Sequence, residues 1–358
     1  MSDSGLIRAN KRRKTMHKHG GDVYRNVGVI DYSANINLKG MPESVIEAAC
    51  QGVKMSFNYP DVECEELRKA LEKEEGVPAE YIRCGNGAAD IIFGLVYALK
   101  PKKALLLAPS FYEYEQALRA AGCEVEYYYL KEETGFIPDR GLIDAIKNDT
   151  DMLFVCNPNN PTGVLSERDF LSEMVERCRE CGTYMILDEC FIDLTGQQDK
   201  YTLKEWLKVY DRLVILKAFT KLYAMPGLRL GYGLCRNKEL MDLLRETSQP
   251  WSVSLPAQMA GLAALKEKEY VNDSLAEIAR QKERLVSGLK EMGIKVYGYG
   301  ANYIFFKAPE DFGKKCLERK IMIRDCGNYV GLKKGFYRIA VKDEKDNEEL
   351  LKVFREVL

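Results

Sequence analysis

The chain has 358 residues, and 53 Lys and Arg against 54 Asp and Glu leave a net charge of -1, so it carries no broad field for nucleic acid or a membrane surface. An apolar fraction of 46% is that of an ordinary globular protein, the length suits two domains, and no apolar run reaches the roughly 20 residues that span a bilayer. Only His17 and His19 occur as histidines, which leaves almost no room for Ser-His-Asp or Cys-His catalysis or a histidine-rich metal site. Proton transfer then falls to Lys, Tyr, Asp, Glu or a cofactor.

The first 18 residues are polar and basic (Arg8, Lys11, Arg12, Arg13, Lys14) without an apolar core of a secretory signal, and are expected to form a solvated arm. From about residue 80, apolar runs alternate with amphipathic ones. CGNG (84–87) precedes the helical AADIIFGLVYAL; ALLLAPS (104–110) reads as a strand and YEYEQALRAAG (112–122) as a helix closed by Gly122. EVEYYYL (124–130), MLFVCNP (152–158), YMILDEC (184–190) and RLVILKAF (212–219) read as further strands, with a helix from about Ser166 to Cys181 between the second and third. Near-continuous Val, Ile and Leu in such runs argue an α/β fold whose mostly parallel sheet is covered by helices on both faces. Residues 255–293 read as long helical sequence without linker character, followed by the strand-like KVYGYG, NYIFFKA, IMIRDC and FYRIAVK. A smaller α+β domain is expected there. The expected division is 1–45 for the arm and part of the small domain, 46–250 for the large domain and 251–358 for the small C-terminal one.

Eleven cysteines, an odd number, are scattered and mostly inside apolar runs, as reduced thiols of a cytoplasmic protein would be. Cys178 and Cys181 form a lone CxxC on the helix ending at Gly182, without a second pair to make a zinc site.

In a doubly wound sheet, ligands sit outside the carboxyl ends of the strands, so the polar residues that end each run are expected to converge. Gly87, Ala88 and Ala89 open a helix where backbone N–H groups can meet an anion. Phe111 is placed to stack on an aromatic ligand, and the two X-Pro pairs of CNPNNPTG hold Asn160 as a fixed amide. Asp188, a carboxylate after an apolar strand, calls for a cationic partner. Lys221 follows an apolar strand, where desolvation lowers its pKa and favours a nucleophilic amine able to form a Schiff base, and Arg229 offers a cation for a phosphate. Lys217 is the rival lysine, but it lies within the strand and not at its end.

This order, glycine turn, aromatic, NPTG, Asp, Thr-Lys and Arg, resembles the fold-type I pyridoxal phosphate enzymes of the class I/II aminotransferase family along essentially the whole chain. The resemblance implies that Lys221 is the Schiff-base lysine and carries the Cα proton. Asp188 would keep the pyridine nitrogen protonated, Asn160 would donate to the phenolic oxygen, and Phe111 would stack on the ring. Ala88, Ala89, Thr220 and Arg229 would hold the cofactor phosphate. Tyr59, in NYPD, would reach that phosphate from a partner subunit, implying a homodimer, and Arg338 would clamp the substrate carboxylate. Two positions depart from the family: Phe191 stands where many relatives have a tyrosine, and Ala218 where many have a serine or threonine.

HGGDVY (19–24), DYSANINLKGMPESV (31–45), QPWSVS (249–254) and IRDCGNYVGL (323–332) look most like L-threonine O-3-phosphate decarboxylases of cobalamin biosynthesis. Histidinol-phosphate aminotransferases, which use glutamate and 2-oxoglutarate, share the core motifs. Both act on phosphate-bearing amino compounds, so a second anion site is expected, assigned to His19, Gly20, Asn35 and Arg324. The same residue types serve decarboxylation and transamination, so the bond that breaks is left open. A non-catalytic regulator on this fold normally carries a basic DNA-reading domain ahead of it, and some 20 polar residues cannot build one.

Overall fold

The computed structural model describes residues 19–358, so the expected basic arm and His17 lie outside the described residues. A seven-stranded sheet runs in the order Ile82–Gly85, Gly231–Leu234, Leu213–Ala218, Tyr184–Asp188, Met152–Cys156, Lys103–Ala108, Glu124–Tyr129. The five strands from Leu213–Ala218 to Glu124–Tyr129 are parallel. Side chains alternate across them with period two. Leu105, Leu107, Leu153, Val155, Leu187 and Ile215 enter one core, and Leu106, Phe154, Ile186, Val214 and Leu216 the other. Burial on both faces is why these runs carry no polar alternation.

Two features go beyond the sequence expectation. Gly231–Leu234 enters the sheet antiparallel to both its neighbours, a strand too short to declare itself by periodicity. The stretch 255–293 is two helices, Leu255–Ala264 and Lys268–Glu291, parted at Leu265–Glu267. The first begins on a Ser254 side chain that accepts from the Ala257 N–H, with Pro256 in its first turn.

The C-terminal strands form a four-stranded antiparallel sheet, Arg324–Asp325, Phe336–Ala340, Tyr303–Lys307, Lys295–Gly298. One face packs Ile304, Phe306 and Ile339 against Leu285, Phe312 and Phe354 of the flanking helices. The other turns Phe305 and Phe336 onto Phe136, whose ring meets theirs edge-on at 5.5 and 5.6 Å. IMIRDC is split: Ile321–Met322 pairs instead with Ile30–Asp31, nearly the whole chain away. That pairing brings the segment after His19 to the joint between the two sheets.

Candidate active site

The carboxyl ends of the parallel strands and the joint with the smaller sheet enclose a cavity of about 370 Å³. His19, Gly20, Asn35, Ala88, Ala89, Phe111, Asn160, Asp188, Thr220, Lys221, Arg229, Arg324 and Arg338 all line it. Thirteen of the fifteen residues singled out in the sequence therefore meet in one place. Gly87 sits just behind: at φ +78° it caps the helix Ala88–Leu99, and a Cβ there would stand 2.5 Å from Nη2 of Arg229. The positive φ favours glycine, and any larger residue would also displace the Arg229 guanidinium. Tyr59 is elsewhere, 78% exposed and stacked on Trp251 at 4.7 Å.

Lys221 lies in the single turn Phe219–Leu222 that leaves the strand Leu213–Ala218. Burial, followed by the nearby Arg338 and Arg229 guanidiniums, lowers its amine to about 8. Its Nζ sits 5.6 Å from the centroid of Phe191, whose ring is held edge-on by Tyr303. The departure at Phe191 therefore places an apolar wall under the lysine. Ala218 also lines the cavity, without a hydroxyl. The N-terminal segment is lashed to this turn: the Asn37 N–H donates to the Lys221 carbonyl, and Asn37 Nδ2 to that of Leu222 at 2.7 Å.

Asp188 ends its strand buried, accepting from Tyr114 Oη at 2.5 Å and from the Cys190 N–H at 2.9 Å. Tyr114, fully buried and stacked on Phe154 at 4.8 Å, was not anticipated from the sequence. Asn160 Oδ1 accepts from Arg338 Nη1, which fixes the amide and leaves Nδ2 as the donor. Arg338 also donates from Nη2 to the Ser33 carbonyl at 2.8 Å, and its buried Nε has no partner. Arg324 and Arg338 are cross-strand partners on adjacent antiparallel strands, and both are 6% exposed. Like charges directly opposite are unfavourable unless anions come between them.

His19 owes its place to Gly20. A Cβ on Gly20 would stand 2.2 Å from the Ser33 carbonyl oxygen, and the Gly21 N–H donates to Ser33 Oγ at 2.7 Å. Glu113, also missed by the sequence reading, lines the cavity beside His19. Asn35 lines the cavity, and its Oδ1 is buried with no hydrogen-bond partner. Among the described residues no group of three or more His, Cys, Asp or Glu is arranged for a metal, and no helix is long and apolar enough to cross a membrane. Cys178 is buried in its helix, and all eleven cysteines are free thiols.

A buried amine of lowered pKa, a buried carboxylate, a fixed amide, an aromatic ring and a glycine-capped helix beside an arginine fit pyridoxal phosphate point for point. The chain belongs to the aminotransferase class I and II family, whose model matches residues 27–354, and is a pyridoxal phosphate-dependent enzyme of fold type I. It is 35% identical to a threonine-phosphate decarboxylase of Salmonella typhimurium, over 95% of this chain and 96% of that one. A histidinol-phosphate aminotransferase of Methanococcus maripaludis is 26% identical, over 94% and 93% of the two chains. The crystal structure of the histidinol-phosphate aminotransferase from Clostridium acetobutylicum matches with a TM-score of 0.86 at 33% identity, covering 91% of this chain and 98% of that one.

Proposed function

We propose that the chain decarboxylates an amino acid carrying a phosphate, of the L-threonine O-3-phosphate class, in cobalamin biosynthesis. The observation that carries this reading is the cross-strand pair Arg338 and Arg324 facing the cavity that holds Lys221. Two adjacent guanidiniums suit a substrate with two anionic groups, a carboxylate at Arg338 and a phosphate at Arg324 with His19, Gly20 and Asn35. The similarity to the Salmonella decarboxylase supports the same assignment.

The residues divide the work as follows. Gly87, Ala88, Ala89, Thr220 and Arg229 would hold the cofactor phosphate, Phe111 its ring face, Asp188 its ring nitrogen and Asn160 Nδ2 its phenolic oxygen. Bound there, pyridoxal phosphate supplies a reactive carbonyl and a ring that takes up the electron pair left when a bond to Cα breaks. Tyr114 keeps Asp188 in place through the hydrogen bond to Oδ2. Lys221, whose amine is brought down to about 8, delivers or removes the proton at Cα. Arg338 grips the substrate carboxylate and so sets which Cα bond is presented for cleavage.

A homodimer accompanies this reading. Tyr59, Phe57, Met55 and Trp251 are exposed large apolar side chains, a surface suited to a second copy. From that surface Tyr59 would reach the partner's cofactor phosphate. The free thiols favour a reducing cytoplasm. The large and small domains are taken as 46–250 and 251–358, with 1–45 joining the small one, as the pairing of Ile30–Asp31 with Ile321–Met322 supports.

Incubating the holoenzyme with threonine phosphate and no keto acid decides the reaction. Carbon dioxide and aminopropanol phosphate are the expected products. The overall similarity to a histidinol-phosphate aminotransferase structure favours the second reading, transamination. That outcome would appear instead as conversion to the pyridoxamine form, reversed by 2-oxoglutarate.

A further inference from the structure

Glu113 is the half-buried acid of the cavity to which the mechanism above gives no task. It follows Phe111 in the first turn of the helix Tyr112–Ala120. Its Oε1 stands 3.4 Å from His19 Nδ1, while its buried Oε2 has no hydrogen-bond partner. A buried carboxyl oxygen without a partner is costly, so the group is placed for something that arrives.

We propose that Glu113 and His19 form a dyad in which binding of a phosphate-bearing substrate makes His19 an imidazolium, with Glu113 accepting from Nδ1 and the Nε2–H turned to the phosphate. This rests on the reading above that His19 and Arg324 receive the substrate phosphate. Glu113 acts through His19 and is a positioning residue. Glu113 is faced by His19 from the N-terminal segment, by Asp188 and Lys221 at the strand ends, and by Arg324 and Tyr329 from the small-sheet side. Burial raises its acid to about 7 against its own backbone N–H, Lys221 and Arg324, with Asp188 adding to the rise. Burial and then Arg324 lower the pKa of His19 from 6.5. Above pH 7 the pair therefore stands as carboxylate and neutral imidazole. A phosphate monoester, dianionic above its second pKa of about 6, then draws one proton from solvent onto His19. Below that pH the proton already sits on Glu113 and passes to His19.

Calorimetry of the holoenzyme at pH 8, in buffers of different ionisation enthalpy, counts that proton. The probe is 3-phosphoglycerate, which carries the carboxylate and phosphate but no amine, with glycerate as control. The wild type is expected to take up about one proton with 3-phosphoglycerate and none with glycerate. Glu113→Gln and His19→Gln should each abolish the uptake, and Glu113→Gln should weaken binding about tenfold, one pKa unit of lost charge stabilisation. Uptake unchanged in Glu113→Gln overturns the proposal, and so does uptake that survives in His19→Gln, which would put the proton on Glu113 itself. A wild type that binds 3-phosphoglycerate no better than glycerate overturns the phosphate site on which the dyad rests. Preference for the phosphate without proton uptake overturns the dyad alone.

Discussion

Lys217 and Lys221 leave the same strand four residues apart and meet opposite environments. Lys217 Nζ lies 3.0 Å from Glu75 Oε1 and 2.9 Å from Asp193 Oδ1 and does not line the cavity. Burial alone would lower its pKa, but Asp193, Glu75 and Glu189 outweigh it and hold the ammonium charged. The same lysine, followed by Lys204, carries Glu75 down to about 2 against the cost of its own burial. Lys221 has two guanidiniums for company and no carboxylate hydrogen-bonded to it, so burial wins and the amine falls to about 8. Desolvation is common to both. The sign of the neighbours decides which lysine is a structural cation and which a nucleophile.

The sharpest way to break the comparison is chemical. Lys221→Ala should lose at least about 10³-fold in turnover, the scale of removing a positioned acid-base group, together with the yellow colour and the borohydride-reducible linkage. A reducible linkage that survives in this variant would move the covalent role to Lys217. Next in size is Lys217→Met, which removes the cation shared by buried Glu75 and half-buried Asp193 and should cost about 3 kcal/mol in denaturant unfolding while keeping the linkage. An unfolding midpoint equal to that of the wild type would refute the structural role.

The smallest effect has the opposite sign. In cofactor-free protein, the amine of Lys221 titrates near 8 when folded and near 10.4 when unfolded. Below pH 8 both states are protonated and the folded state bears the full penalty, about 3 kcal/mol at 1.36 kcal/mol per unit. Between 8 and 10.4 only the unfolded state holds the proton, so stability rises with pH and the penalty vanishes above that range. Lys221→Met should therefore stabilise the cofactor-free protein at pH 7 and gain little at pH 10.5. Thermal unfolding at the two pH values reads this directly, and equal gains at both would contradict it.

The cofactor side of the site was legible because Phe111, Asn160, Asp188 and Lys221 follow or end apolar runs, and strand ends of a parallel sheet converge by topology. Asp188, Asn160 and Lys221 needed only that rule and their neighbours in the chain. Tyr114 and Glu113 were not legible for a related reason. They occupy the first turn of an amphipathic helix, where an acid reads as a favourable charge at a helix start and a tyrosine as core. Nothing local shows that this turn looks into the cavity. The antiparallel Gly231–Leu234 was hidden by its length, and the pairing of Ile30 with Ile321 by its separation in sequence. His19 was legible only through the resemblance of HGGDVY, since its position depends on how closely Gly20 approaches Ser33.

The pairing of Arg324 with Arg338 has a consequence for how substrate range can change. Their spacing is set by the rungs of a β-ladder, not by side-chain packing. A slip of one residue would turn one arginine away from the cavity, and a slip of two, the next that keeps the face, moves it by roughly 6.8 Å. The backbone interval between the two arginines therefore changes only in steps. Descendants of this chain can reach longer or shorter substrates by exchanging an arginine or reshaping the loop at residues 326–335, but not by gradual drift of the ladder.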